Sequence, residues 1–265
     1  MTKTLAPGLL LFSFGLLTLF SISHLNSSMA DEPKQEFYEL RIYQIDNIDK
    51  QQLVSDYLEN ALLPALGRLS LDRIGVFTRS DDVNDHAIFV LIPYPDVAVF
   101  TNLNASLAKD EAYQEAAKTH FARPLKDPEF LRIESRFMKA FAGMPVIEQP
   151  ARSKEKSPRI FELRLYQSHT EDHAARKVEM FNKGEIQIMR DVEMSPVFYG
   201  ETLIGPDVPN LVYMLSADDM ESHQAHWKAF LAHPEWDKMK KMERYQDTVS
   251  KIRNWFLKPT GYSQL

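Results

Sequence analysis

No cysteine occurs in the 265 residues. That removes disulfides, thiol nucleophiles, thiolate metal sites and a lipid-anchored cysteine from consideration. G-x-G-x-x-G, P-loop, H-E-x-x-H and nucleophile-elbow motifs are also missing, so no catalytic chemistry announces itself by motif. Positive charge is in deficit, with 31 Lys and Arg against 37 Asp and Glu, a net charge of −6. Phosphate binding needs a concentrated positive surface, so nucleic acid is not an expected partner. Residues 1–30 lack acids and arginine, and Lys3 is their one charged side chain. An apolar run from Leu5 to Ile22, broken by Pro7 and small or hydroxyl residues, leads to Ser28-Met29-Ala30 and then Asp31-Glu32. This pattern reads as a secretory signal peptide over 1–30, and the absence of arginine argues against a mitochondrial transit peptide. An uncleaved membrane anchor is the alternative, because the run approaches the ~20 residues that span a bilayer. Removing 30 of 265 residues leaves 235, and removing Lys3 takes the net charge from −6 to −7. The expected location is secreted or periplasmic, with no stable membrane insertion after cleavage. Packing alone must then stabilise the fold.

What is present is internal repetition. Tyr-Glu-Leu-Arg-Ile-Tyr-Gln at 38–44 returns as Phe-Glu-Leu-Arg-Leu-Tyr-Gln at 161–167, an offset of 123. The same offset sets Leu107 against Phe230 and Tyr113 against Trp236. Phe137-Met138-Lys139 matches Phe256-Leu257-Lys258 at an offset of 119. Two units are expected, over 36–141 and 159–259. The stretch 142–158 between them, with Pro145, Pro150 and Pro158, reads as a linker. Each unit reads β-α-β-β-α-β. The first has strands over 37–44, 74–79, 87–92 and 132–138, with helices over 49–68 and 96–122. The second has strands over 159–167, 196–203, 210–216 and 250–257, with helices near 171–192 and 219–245. This is the ferredoxin-like pattern. The expected fold class is α+β, two tandem ferredoxin-like units packed sheet to sheet as an intrachain pseudo-dimeric αβ barrel.

Strand side chains alternate between faces. Tyr38, Leu40 and Ile42 share one face of the first strand, and Phe161, Leu163 and Leu165 share one face of its counterpart. These apolar faces are expected under the helices. The opposite faces carry Glu39, Arg41 and Tyr43, and Glu162, Arg164 and Tyr166. Both trios are then expected to point into the space between the sheets. They serve there either as ion pairs holding the contact together or as the lining of a ligand pocket, since buried charges are costly unless paired.

The second unit resembles the NIPSNAP family. Phe161 to Tyr166, Val197-Phe198-Tyr199-Gly200-Glu201-Thr202 with Gly205-Pro206, and His226-Trp227-Lys228-Ala229-Phe230 leading into His233-Pro234-Glu235-Trp236 carry the likeness. The first unit matches in its opening strand and its order, with Asp110-Glu111-Ala112-Tyr113 where the family has an Asp-Pro-Glu-Trp type of segment. The resemblance implies a dimeric αβ-barrel architecture and no catalytic residues. Mitochondrial relatives are associated with protein interaction and quality control, a setting that an exported chain does not share.

His223-x-x-His226 shares a helix face, which suits two metal ligands, but Trp227, Phe230 and Leu231 on the same helix favour histidines flanking a packed stripe. His169 and His173 sit where a long helix begins, with Thr170 as its cap and Glu171-Asp172 favoured by the helix dipole. His120 and His86 stand alone and read as ordinary. No metal and no cofactor are expected. The function expected is an exported binding or interaction protein with a small-molecule ligand or protein partner, and a homodimer is possible. The alternative is a small-molecule, monooxygenase-like enzyme using Arg41, Arg164, Tyr43 and Tyr166 around an anionic or aromatic substrate. Fold analogy alone does not establish that activity.

Overall fold

The computed structural model describes residues 1–2 and 34–265. The expected signal peptide lies almost wholly outside the described residues. Among those described, no helix is long and apolar enough to cross a membrane.

Strands β1 (Phe37–Gln44), β2 (Gly75–Arg79), β3 (Ile88–Tyr94) and β4 (Arg132–Ala140) come from the first half. The second half supplies β5 (Ile160–Gln167), β6 (Pro196–Ile204), β7 (Asn210–Ala217) and β8 (Lys251–Pro259). All neighbours are antiparallel, in the closed order β1-β3-β2-β8-β5-β7-β6-β4. The halves meet by strand pairing at two seams. Thr78 lies opposite Lys258 at one seam, and Met138 opposite Thr202 at the other. This corrects the expected face-to-face packing. Two separate four-stranded sheets would leave four rows of unpaired backbone groups, and closure removes every edge.

The interior of an eight-stranded barrel is narrow enough for side chains to fill. It is filled by Tyr38 and Leu40 of β1, Phe77, Phe89, Leu91 and Met138, and from the other half Phe161, Leu163, Leu165, Phe198, Val212 and Met214. Rings from the two halves touch directly: Phe77 and Phe161 lie 4.8 Å apart, Tyr38 and Phe198 5.2 Å apart. One end is closed by the interdomain segment and the C-terminus. Ile147 and Leu265 join the interior cluster, and Arg159 Nη2 donates to the Leu265 carbonyl at 2.6 Å. The segment read as a linker also forms a short helix, α6 (Ala151–Glu155).

Helices cover the outside. After β1 comes α1 (Ile48–Tyr57), a π-helical turn (Leu58–Leu62) and α2 (Leu63–Arg68). After β5 comes α7 (Glu171–Met180), a π-helical turn (Phe181–Glu185) and α8 (Ile186–Asp191). Both π turns sit 123 positions apart, as do the capping side chains Asn47 and Thr170, each accepting from a backbone N–H three residues on. The expected helix over 96–122 is divided into α3 (Val97–Leu107), α4 (Glu111–Ala116) and α5 (Lys118–Phe121), with Asp96 and Asp110 capping the first two. The segment 219–245 divides into α9 (Met220–Ala232), α10 (Pro234–Met239) and a 3₁₀ turn (Glu243–Tyr245). Pro234 starts α10, where its missing donor costs nothing.

The two helix-covered cores differ in chemistry. In the first half Val54 and Leu62 are buried among Leu58, Leu66, Val76 and Val90. The positions 123 residues on hold Lys177 and Glu185, buried and paired Nζ to Oε2 at 2.6 Å, with Lys177 Nζ 4.6 Å from the Phe181 ring centre. Burial pushes the Glu185 carboxyl up despite Lys177. Removing one partner strands the other. Lys177→Val alone is expected to lower unfolding stability by about 3–5 kcal/mol, and Lys177→Val with Glu185→Leu to recover most of it. Urea denaturation of the single and double variants measures this, and equal losses in the two would contradict it.

Candidate functional site

The barrel inverts the expected faces. Glu39, Arg41 and Tyr43 point outward under the first half's helices, with Tyr43 in the same cluster as Val54 and Leu58. Glu162, Arg164 and Tyr166 occupy the matching positions of the second half, with Tyr166 packed on Phe181 and Met180. The apolar faces are needed to fill the dry barrel, and alternation alone does not say which face turns inward. On this face Glu162 is met by Trp227 and His223 of α9, while Glu39 is met by side chains of neighbouring strands.

Both glutamates are buried and hydrogen-bonded. Glu39 accepts from Tyr94 Oη at 2.9 Å and from Ser135 Oγ at 2.8 Å, and Arg41 Nε lies 2.8 Å from it. Glu162 accepts from Arg164 Nη1 at 2.5 Å, Trp227 Nε1 at 3.0 Å and Asn254 Nδ2 at 3.0 Å, with His223 Nε2 at 3.3 Å. Ser135 and Asn254 are equivalent, since each lies opposite the arginine of its trio across the sheet. Such saturation identifies the Glu–Arg pairs as structural centres of each helix–sheet contact. The tyrosines are weak acids here. Burial pushes the Tyr43 and Tyr166 phenols up, only partly opposed by Arg41 and Arg164, so both keep their protons at neutral pH. Tyr166 Oη lies 2.8 Å from Tyr213 Oη.

The halves diverge beside the trio. In the first, Phe100 of α3 stacks on Phe137 at 4.1 Å and fills the space between helix and sheet. In the second, the equivalent residues are His223 and Phe256, edge to face at 5.1 Å. A groove of about 500 Å³ opens there, lined by Arg164, Met220, His223, Trp227, Leu231 and Phe256. The Arg164 guanidinium lies 4.5 Å from the Trp227 ring centre, within cation–π range. Arg41 has no aromatic counterpart, because Asn104 stands where Trp227 would be.

His223 and Trp227 were legible only as a helical pair. Their i, i+4 spacing puts them on one face, but their shared partner Glu162 lies 61 and 65 residues away in sequence. Leu231, expected in the packed stripe, is 58 % exposed, while Phe230 is buried. His226 points elsewhere and lines a different cleft with Arg190 and Ser222. Among the described residues no group of three or more His, Asp or Glu is placed to hold a metal. Thr170 does cap α7, accepting from the His173 N–H at 3.2 Å.

The architecture defines an αβ-barrel protein with two helix-covered faces. The NIPSNAP family model matches residues 161–264, in the second half of this chain. Solved structures share the whole fold. A proposed monooxygenase from Lactobacillus acidophilus NCFM aligns at TM-score 0.56 and 10 % identity, over 85 % of this chain and 94 % of that one. A second proposed monooxygenase, from Fusobacterium nucleatum, aligns at 0.55 and 11 %, over 86 % and 93 %. A NIPSNAP-like domain protein from Burkholderia xenovorans is 26 % identical at TM-score 0.37, covering 40 % of this chain and 88 % of that one. No curated protein matches the chain.

Hydrogen bonds and Arg164 outweigh the burial that would raise the Glu162 pKa, and hold it below the ordinary value. A carboxyl depressed in the folded state stabilises above its unfolded pKa, ~4.3, and loses that contribution as pH falls through the folded value. Glu162→Gln is therefore expected to be less stable than wild type at pH 7, with the gap narrowing below pH ~4. Denaturation midpoints at pH 7, 5, 4 and 3 test it, and a gap that stays constant overturns it.

Proposed function

We propose that this chain is an exported, small-molecule-binding NIPSNAP-like protein made of two tandem ferredoxin-like units fused into a pseudo-dimeric barrel. The tandem reading is supported by the coincidence of strands, caps and π turns at one offset. A homodimer of this chain would have to use its helical surface, because the sheet edges are consumed within it. Export rests on the composition of residues 1–30, and N-terminal sequencing of the secreted or periplasmic protein should begin near Asp31.

The binding site is the groove over Arg164 in the second half. The observation that carries this is the guanidinium set 4.5 Å from Trp227 at the floor of a groove of about 500 Å³. That volume suits a small ligand, and apolar walls with a few convergent polar groups are the usual make-up of such sites. Met220, Trp227 and Phe256 favour a planar aromatic body, and Arg164 a polar or anionic substituent. Glu39 and Arg41 serve the first half as structure alone.

A second reading, an αβ-barrel enzyme of the monooxygenase-like kind, is favoured by one feature. His223 Nε2 lies 3.3 Å from Glu162, a histidine–carboxylate pair at the groove floor of the sort that moves protons. Native mass spectrometry and absorbance of the purified protein distinguish the readings from an empty scaffold. A retained small molecule is expected in wild type and Arg41→Ala and lost in Trp227→Ala and Arg164→Ala. Absence of any retained molecule, together with unchanged Trp emission across a set of small aromatic acids, would refute binding at this groove.

A further inference from the structure

A second cluster lies in the first half, away from the groove residues. His120, on α5, contacts Glu129 through Nδ1. The Glu129 side chain is 4 % exposed. A carboxylate only accepts, so Nδ1 is the donor and the tautomer is set by this contact. Nε2 has no hydrogen-bond partner among the described residues. The imidazole is stacked on Tyr57 at 3.8 Å and 7°, with Phe130 6.0 Å away on a ring tilted by 24°. Tyr57 is itself held by Tyr113, Oη to Oη at 2.8 Å. Orientation of a histidine by a carboxylate and an aromatic stack leaves one ring nitrogen for something else.

The ring lines a cleft of about 470 Å³ formed by α5 and residues 122–131, with apolar walls from Phe121, Leu125, Phe130 and Leu131. Two arginines border it. Arg123 is engaged by Asp127 at 2.5 Å, yet its Nε is buried with no hydrogen-bond partner, 3.7 Å from Glu129. Arg132 donates to the Leu131 carbonyl at 2.6 Å and has no carboxylate within ion-pair distance among the described residues. An apolar cleft bordered by a guanidinium with no carboxylate beside it matches a molecule with an apolar body and a carboxylate end. Glu243 stands 123 positions after His120, so the second half has no equivalent.

We propose that this cleft is a separate ligand site for a small organic acid. Arg132 takes the carboxylate, the His120 ring forms part of the wall, and Phe121, Leu125 and Leu131 cover the apolar body. Isothermal titration with hexanoate and octanoate, with 1-hexanol as the uncharged control, tests the site on the full chain. Saturable binding of at least one acid is expected, with the alcohol at least about tenfold weaker. Arg132→Gln should weaken the acid by about tenfold. Arg132 is on the surface, so its variant keeps the fold and decides the question. No saturable acid binding, or equal affinity in Arg132→Gln, overturns the proposal. Loss in Trp227→Phe alone would also overturn it, by placing the acid in the other groove.

Discussion

Closure of the sheet constrains everything else in this molecule. Once β2 pairs with β8 and β4 with β6, the barrel has no edges and its interior is filled by apolar side chains. Each strand must then give its apolar side to the interior. The polar side of β1 and β5 is left facing helices, where Glu39 and Glu162 have to be satisfied by whatever the helices and neighbouring strands bring. The two halves solve that problem differently, with tyrosine and serine in one and tryptophan, asparagine and histidine in the other. Their differences in surface follow from those choices.

The halves differ in side chains at equivalent positions. Exchanging Phe100 for His223 at equivalent positions turns a filled aromatic stack into the wall of a groove. Exchanging Val54 and Leu62 for Lys177 and Glu185 makes the second core dependent on a buried ion pair that does not by itself add stability. The first half keeps an apolar core and places its polar cluster farther out, around His120 and Glu129. Two halves with matching strands and caps thus carry two different surfaces.

Strands were legible because period-two alternation and β-branched and aromatic content are local properties. The opening strand was read as 37–44, and β1 spans Phe37–Gln44. Helix interruptions were less legible. The breaks after Leu107 and Ala116 depend on Asp110 capping a new segment and on Tyr113 reaching Tyr57, a contact across 56 residues. His120 read as an isolated residue because Glu129 reaches it through an irregular loop with no periodicity to announce the pairing.

The amino-acid order determined the repeated motif, the strand alternation and the presence of two Glu-Arg-Tyr faces, since these depend on neighbours along the chain. Which face turned inward was decided only by the tertiary structure. Alternation is symmetric between the two sides of a strand, and the choice is made by the closing of a dry barrel that no single strand can see. The same holds for the groove over Arg164 and for the His120 cleft, whose residues lie apart in the chain and become a site only when strand, helix and loop are brought together.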